Sequence, residues 1–166
     1  MNYQHVLIPV DGSIVSEYAF QKALDIAKRN DAKVTIAHVV DIRTYANVEA
    51  THGSMSENAD KYTEKMLAGY KDIAQKAGIK EVDTRIGHGA ARQVLTKEIA
   101  PDVQCDLIVC GSSGINALER FVLGSVSEAI VRYAKCDVLV VRTEQVPDDF
   151  TLESFTEAFR REYSNN

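Results

Sequence analysis

Five short apolar runs punctuate the chain, each separated from the next by enough residues for a helix: HVLIPV (5–10), KVTIAHVV (33–40), VDTRI (82–86), DLIVC (106–110) and DVLVV (137–141). Most are rich in valine and isoleucine, and they show little of the alternation expected of a sheet with one wet face. Such strands need cover on both sides. The intervening stretches supply it: 15–29 with Tyr18, Ala19, Leu24 and Ile26; 56–77 with Tyr62, Met66, Tyr70 and Ile73; 90–100 with Val94, Leu95 and Ile99; 125–134 with Val126, Ile130, Val131 and Ala134. Apolar residues three and four apart line one helix face. Strand alternating with helix predicts α/β architecture, and right-handed crossovers leave few topologies. The economical one is an open doubly wound five-stranded parallel sheet, order 3-2-1-4-5, with helices on both faces. VDTRI, with charged Asp83 and Arg85, suits an edge.

A chain of 166 residues, 45% hydrophobic and 26% charged, has enough apolar surface for one core without staples. Its formal charge of -5 argues against a nucleic-acid surface and against anionic membranes. No basic and apolar leader precedes the first strand-like run, and no apolar stretch approaches spanning length, so a cytoplasmic location is expected. Cys105, Cys110 and Cys136 have neither zinc-site spacing nor the even count of a disulfide framework, and reduced thiols are expected. Cys105 and Cys136 each precede an Asp at the start of an apolar run, which would place them near each other; small-residue packing is expected there, with a redox pair as the alternative, since cytosolic disulfides are rare.

Residues 41–56 form the longest irregular stretch, and a long loop in a compact domain is usually functional or mobile. The chain divides into a domain at 1–143 and an extension at 144–166. In that extension Leu152, Phe155, Phe159 and Tyr163 share a helical face, with Thr151 placed to cap it and Glu153 in the first turn. An amphipathic helix docked on the body or on a partner chain is expected there, with a disordered or protease-sensitive tail as the alternative.

In open α/β sheets ligands bind beyond the carboxyl ends of the strands, where the strand order reverses. With order 3-2-1-4-5 that point lies between the first and fourth strands. The chain there reads PVDGS (9–13) and CGSSG (110–114). Gly124 and Ser125 then open the last helix, whose first amides and positive dipole end favour an anion. Gly111 would bring backbone close to a ligand, Gly114 would permit a reversal, and Gly124 would bare amides beside the Ser125 and Ser127 hydroxyls. Glycines after strands also simply make turns. No Gly-Lys pair exists, which excludes a P-loop, and neither IPVDGSIVSEYA nor GHGAAR carries the dinucleotide fingerprint.

The stretch GSSGINALERFVLGSVS (111–127) resembles the nucleotide-binding signature of the universal stress protein family: glycine, two residues, glycine, nine residues, glycine, serine. Gly111, Gly114, Gly124 and Ser125 match it without a gap. The opening HVLIPVDGSIVSEYAFQKALDIAK, the second strand IAHVVD and the closing AKCDVLVVR are also similar to that family, so the likeness covers roughly residues 3 to 143. It implies the same five-stranded fold and a homodimer built by antiparallel pairing of the last strand, 137–142. It also implies ATP or another adenine nucleotide, with Mg2+ accompanying it. By the same resemblance, Pro9, Val10 and Asp11 would line the nucleoside, with Gly12 and Ser13 in the same loop. Val39 would meet adenine through its backbone, Gly111 and Gly114 would flank ribose and phosphates, and Gly124, Ser125, Val126 and Ser127 would hold the phosphate chain. Ser113 departs from the pattern, where relatives often carry a basic or imidazole side chain; Arg120 is a candidate replacement contact.

Asp11 has two chemical uses. A carboxylate beside phosphates is repulsive unless it accepts a ribose hydroxyl or holds a nucleotide-bound magnesium. It also suits an Asx turn before Gly12, with Ser13 capping the next helix. His38, mid-strand, is expected to be a satisfied interior histidine, and His88 a solvent-facing loop residue. His5 and His52 lack supporting context. No metal-ligand cluster or GxSxG elbow appears, and Ser125 has no identifiable histidine partner. Catalytic residues are therefore not assigned. A nucleotide-responsive stress module with at most slow ATP turnover or self-phosphorylation is expected, and a scaffold of the same fold that binds no nucleotide is the alternative. An ATP pyrophosphatase would carry an SGGxDS-like loop where this chain has PVDGS.

Overall fold

The computed structural model describes residues 2–41, 55–113 and 123–151. Its elements in chain order are β1 (His5–Pro9), α1 (Ile14–Asn30), β2 (Lys33–Val40), α2 (Met55–Lys76), β3 (Val82–His88), α3 (Ala91–Val94), a π-helical turn (Leu95–Ile99), α4 (Ala100–Val103), β4 (Leu107–Gly111), α5 (Ser125–Tyr133) and β5 (Asp137–Val141). The strands form one sheet in the order β3-β2-β1-β4-β5, and every pair is parallel. VDTRI lies on an edge, as its charges suggest, and continues two residues further, through His88.

Two apolar clusters cover the two faces. Val6, Ile8, Val34, Ile36 and Val109 point into one with Phe20 and Ala23 of α1 and Met66, Leu67 and Tyr70 of α2. Leu7, Ala37, Ile108 and Cys110 point the other way, against Val94, Leu95, Ile99 and Ile130. Successive strand residues alternate between the clusters because side chains alternate across a pleated strand, and both sets are apolar because both faces carry helices. The double-sided burial expected of the Val- and Ile-rich strands fails at β5, where Asp137 and Leu139 are exposed. An edge strand has a neighbour on one side only, so the helices that roof the sheet centre do not fully reach it.

Local chemistry sets the helix ends. Ser13 caps α1 by accepting from the Ser16 amide at 3.2 Å, and Asp31 closes it in the left-handed region with φ 53°. Pro101 cannot donate to a carbonyl four residues back, and the wider π turn lies immediately before the helical turn that contains it. At the other end of the sheet the Asp106 carboxylate accepts from the Gln4 and His5 amides at 2.7 and 3.0 Å, tying the start of β1 to β4. Beyond β5 the chain returns to α1: Phe150 meets Tyr18 edge to face at 5.1 Å, and Lys22 reaches Gln145 at 3.0 Å. The expected helix of the extension falls outside the described residues, as does most of the 41–56 loop.

Candidate functional site

A cavity of about 390 Å3 opens at the carboxyl ends of β1 and β4, where the strand order reverses. That volume lies within the span typical of small-ligand sites. Of the residues expected there, Pro9, Val10, Asp11, Val39, Gly111, Gly124, Ser125, Val126 and Ser127 line it, and Ser113 does too. Gly12 and Ser13 are not in the lining. They build the turn beneath it: Gly12 takes φ 78°, a conformation costly for residues with a Cβ, and Ser13 serves as the α1 cap. Gly114 and Arg120 lie outside the described residues, as does His52.

Asp11 adopts the Asx-turn use of its carboxylate. Its Oδ1 accepts from the Ser13 amide at 2.9 Å, while its own amide donates to Ser16 Oγ at 3.2 Å. The side chain is thereby oriented at the cavity wall.

Gly111 and Gly124 also have structural tasks of their own. A Cβ on Gly111 would sit 3.2 Å from the backbone carbon of Val15 and 3.3 Å from the Ser16 amide, so its bareness admits the N-terminus of α1. Gly124 spends its amide on the Ser112 carbonyl at 2.7 Å, which closes the loop neck. The amides with no intrahelical acceptor therefore begin at Ser125 and run through Val126 and Ser127, in a helix whose N-cap provides no side-chain hydrogen bond. Ser127 donates its hydroxyl to the Gly111 carbonyl at 2.7 Å and locks α5 against β4. An anion placed at this helix start meets Ser125–Ser127 amides and the positive dipole end together.

Several lining residues escaped sequence reasoning: Ser16, Ala37, His38, Ala91, Leu95, Cys110 and Ile130. Ala91 and Leu95 come from the helical run after β3, which packs on the same face as α5. Cys110 is buried, and desolvation pushes its thiol up to about 12. His88 pairs with Asp60 at 2.7 Å, outside the cavity lining, and His5 meets Thr35 Oγ1 at 2.7 Å.

His38 is the satisfied interior histidine expected, and it also borders the cavity. Its Nδ1 is 2.7 Å from the Val10 carbonyl, an acceptor only, so that nitrogen carries the proton. Burial lowers its pKa below the ordinary 6.5, prevailing over the Val10 carbonyl and the Asp11 carboxylate, which pull upward. A depressed folded pKa means that the unfolded chain binds the proton first. The stability from neutral His38 is complete above about pH 6.5 and falls as pH drops towards the folded value. Thermal midpoints measured from pH 7.5 to 5 should decline, and more gently in His38→Asn, which retains an amide donor for Val10. Part of the slope should persist in the variant, because burial, followed by Lys33, also lowers His5. Identical slopes in both proteins would contradict this assignment.

The universal stress protein family model matches residues 2–142. The chain belongs to the universal stress protein family. A Staphylococcus haemolyticus protein assigned to the universal stress proteins is 49% identical over 164 residues, covering 99% of each chain. Universal stress protein UspA from Lactobacillus plantarum superposes with a TM-score of 0.76 at 26% identity, covering 86% of this chain and 99% of that one. A universal stress protein solved in complex with cAMP is 31% identical, with a TM-score of 0.62 and coverage of 86% and 99%. Among the described residues, no helix of this universal stress protein is long and apolar enough to cross a membrane.

Proposed function

We propose that this universal stress protein binds an adenine nucleotide, ATP by preference of its phosphate-binding features, in the cleft between β1 and β4. The carrying observation is the convergence of Gly111, Ser113 and the Ser125–Ser127 helix start on one cavity that Pro9, Val10 and Asp11 also line. Apolar Val10 and Val39 suit a base, the Asp11 carboxylate suits a ribose hydroxyl or a nucleotide-bound Mg2+, and the α5 amides suit phosphates. The structural relative solved with cAMP supports the adenine class. Gly114 and Arg120 complete the proposed contacts.

The protein acts as a cytoplasmic, nucleotide-responsive module with at most slow turnover, a reading supported by the hydrogen bonds that already engage Asp11 and His38, the carboxylate and imidazole among the described lining residues. Two copies pair through β5, whose exposed Leu139 lies on the sheet edge. Isothermal titration of nucleotide-stripped protein with ATP, ADP, AMP and cAMP tests the assignment. Micromolar or tighter binding of ATP is expected, weakening as phosphates are removed. No heat with any of the four at millimolar ligand would favour the scaffold alternative.

A further inference from the structure

Cys105 and Cys136 occupy the end of the sheet opposite the cleft, each one residue before the Asp that leads into β4 or begins β5. The Asp137 amide donates to the Asp106 carbonyl at 3.3 Å, which holds these two chain segments side by side. Their sulfur atoms are 3.8 Å apart. Both side chains are half-buried, and with Pro101, Gln104 and Lys135 they line a cavity of about 140 Å3. Closing the 3.8 Å between the sulfur atoms to the roughly 2.0 Å of an S–S bond takes only a small movement of the two side chains. Cys110, the remaining cysteine, lies buried beneath the nucleotide cleft and lines that cavity instead.

We propose that Cys105 and Cys136 form a dithiol site that a small-molecule disulfide oxidises reversibly to an intrachain disulfide. The Cys136 thiolate attacks one sulfur of the small disulfide and expels its other half as a thiolate, leaving a mixed disulfide on Cys136. The Cys105 thiolate then attacks Cys136 Sγ and expels the second half. The protein loses two electrons and two protons; the small disulfide gains both and leaves as two thiols. Cys136 leads because it is the less desolvated of the pair, and the cavity opens onto the two sulfur atoms. Burial pushes the Cys105 thiol up to about 12 and raises that of Cys136, so both are protonated near neutrality and the reaction accelerates with pH.

The two cysteines are 31 positions apart, and the ring their union closes contains β4, the glycine loop and the whole of α5. Oxidation therefore ties together the two ends of the unit that forms one wall of the cleft. It also fastens edge strand β5 to its neighbour.

The test exposes the full-length folded protein to oxidised glutathione at pH 8.5, followed by removal of reagent. In wild type the thiol titre after denaturation should fall from three to one per chain, the mass by two hydrogens, and a non-reducing peptide map should show Cys105 joined to Cys136. The melting temperature should rise by roughly 5–10 °C and return on reduction with dithiothreitol. In Cys110→Ser the thiol titre should fall from two to none with the same Cys105–Cys136 link, whereas Cys105→Ser and Cys136→Ser should form no intrachain link. A titre that stays at three, a glutathione adduct that persists on Cys136 of wild type, or links through Cys110 or between chains would overturn the proposal.

Discussion

Magnesium-ATP at about a hundredfold its dissociation constant is expected to raise the melting temperature by roughly 5–10 °C, and Ser125→Asp to remove about half of that rise or more. Selective binding to the folded state at that excess contributes about 2.7 kcal/mol, and a chain of this size shifts by about 2–4 °C per kcal/mol. Ser125 is exposed at the first position of α5, beyond an N-cap with no side-chain hydrogen bond. A carboxylate there suits the helix dipole, so the unliganded variant should melt no lower than wild type. Against a bound phosphate the same carboxylate is a like charge. At about 4 Å and an effective dielectric of 20 the repulsion is about 4 kcal/mol, and exposure to solvent reduces it, leaving a loss of roughly tenfold or more in affinity. Adenosine, which has no phosphate, should bind both proteins alike. A variant with the full ATP shift would place the phosphates elsewhere and sink the site assignment while leaving the fold untouched.

Phe20→Ala should produce the largest loss of stability. Phe20 is 1% exposed, and its ring meets the fully buried Tyr70 edge to face, with centroids 4.8 Å apart. This contact joins α1 to α2 over β1 and β2, so the deletion opens a void where two helices and the sheet meet. Removing a buried phenylalanine costs about 3–5 kcal/mol, with lost transfer energy and residual cavity both contributing. A fall in melting temperature of roughly 10 °C or more is expected by calorimetry. Nucleotide affinity should stay within a few-fold of wild type under conditions where the variant is folded, because Phe20 is not in the cleft lining. A fall of only a few degrees would mean that the two helices close over the gap.

The strands were legible because Val, Ile and Leu crowd into runs too short for helices and too uniformly apolar for a half-wet sheet. KVTIAHVV and DVLVV coincide with β2 and β5 to the residue. The switch-point rule then points to the cleft, since PVDGS and CGSSG lie at the carboxyl ends of neighbouring strands when the strand order is right. The rule did not extend to the cleft's other lining residues. Nothing local in GAARQVLTKEI announces that Ala91 and Leu95 line the cavity, because that depends on how the helical run after β3 packs beside α5. Nor did the strand pattern show that β5 would be half-exposed, since its apolar residues look alike whether a helix or a second copy covers them.

The amino-acid sequence by itself determined the architecture, the family and the place of the cleft. Periodicity reports which faces must be buried, and the spacing of glycine and serine reports where a helix start can receive an anion. The tertiary structure alone decided what each bare position is used for. Gly111 lacks a side chain because α1 approaches it, and the Gly124 amide is consumed by Ser112, so the available helix amides start at Ser125. Those outcomes depend on distances between segments far apart in the chain. Such distances are set by the packing of whole helices against the sheet, a property no local run of residues encodes.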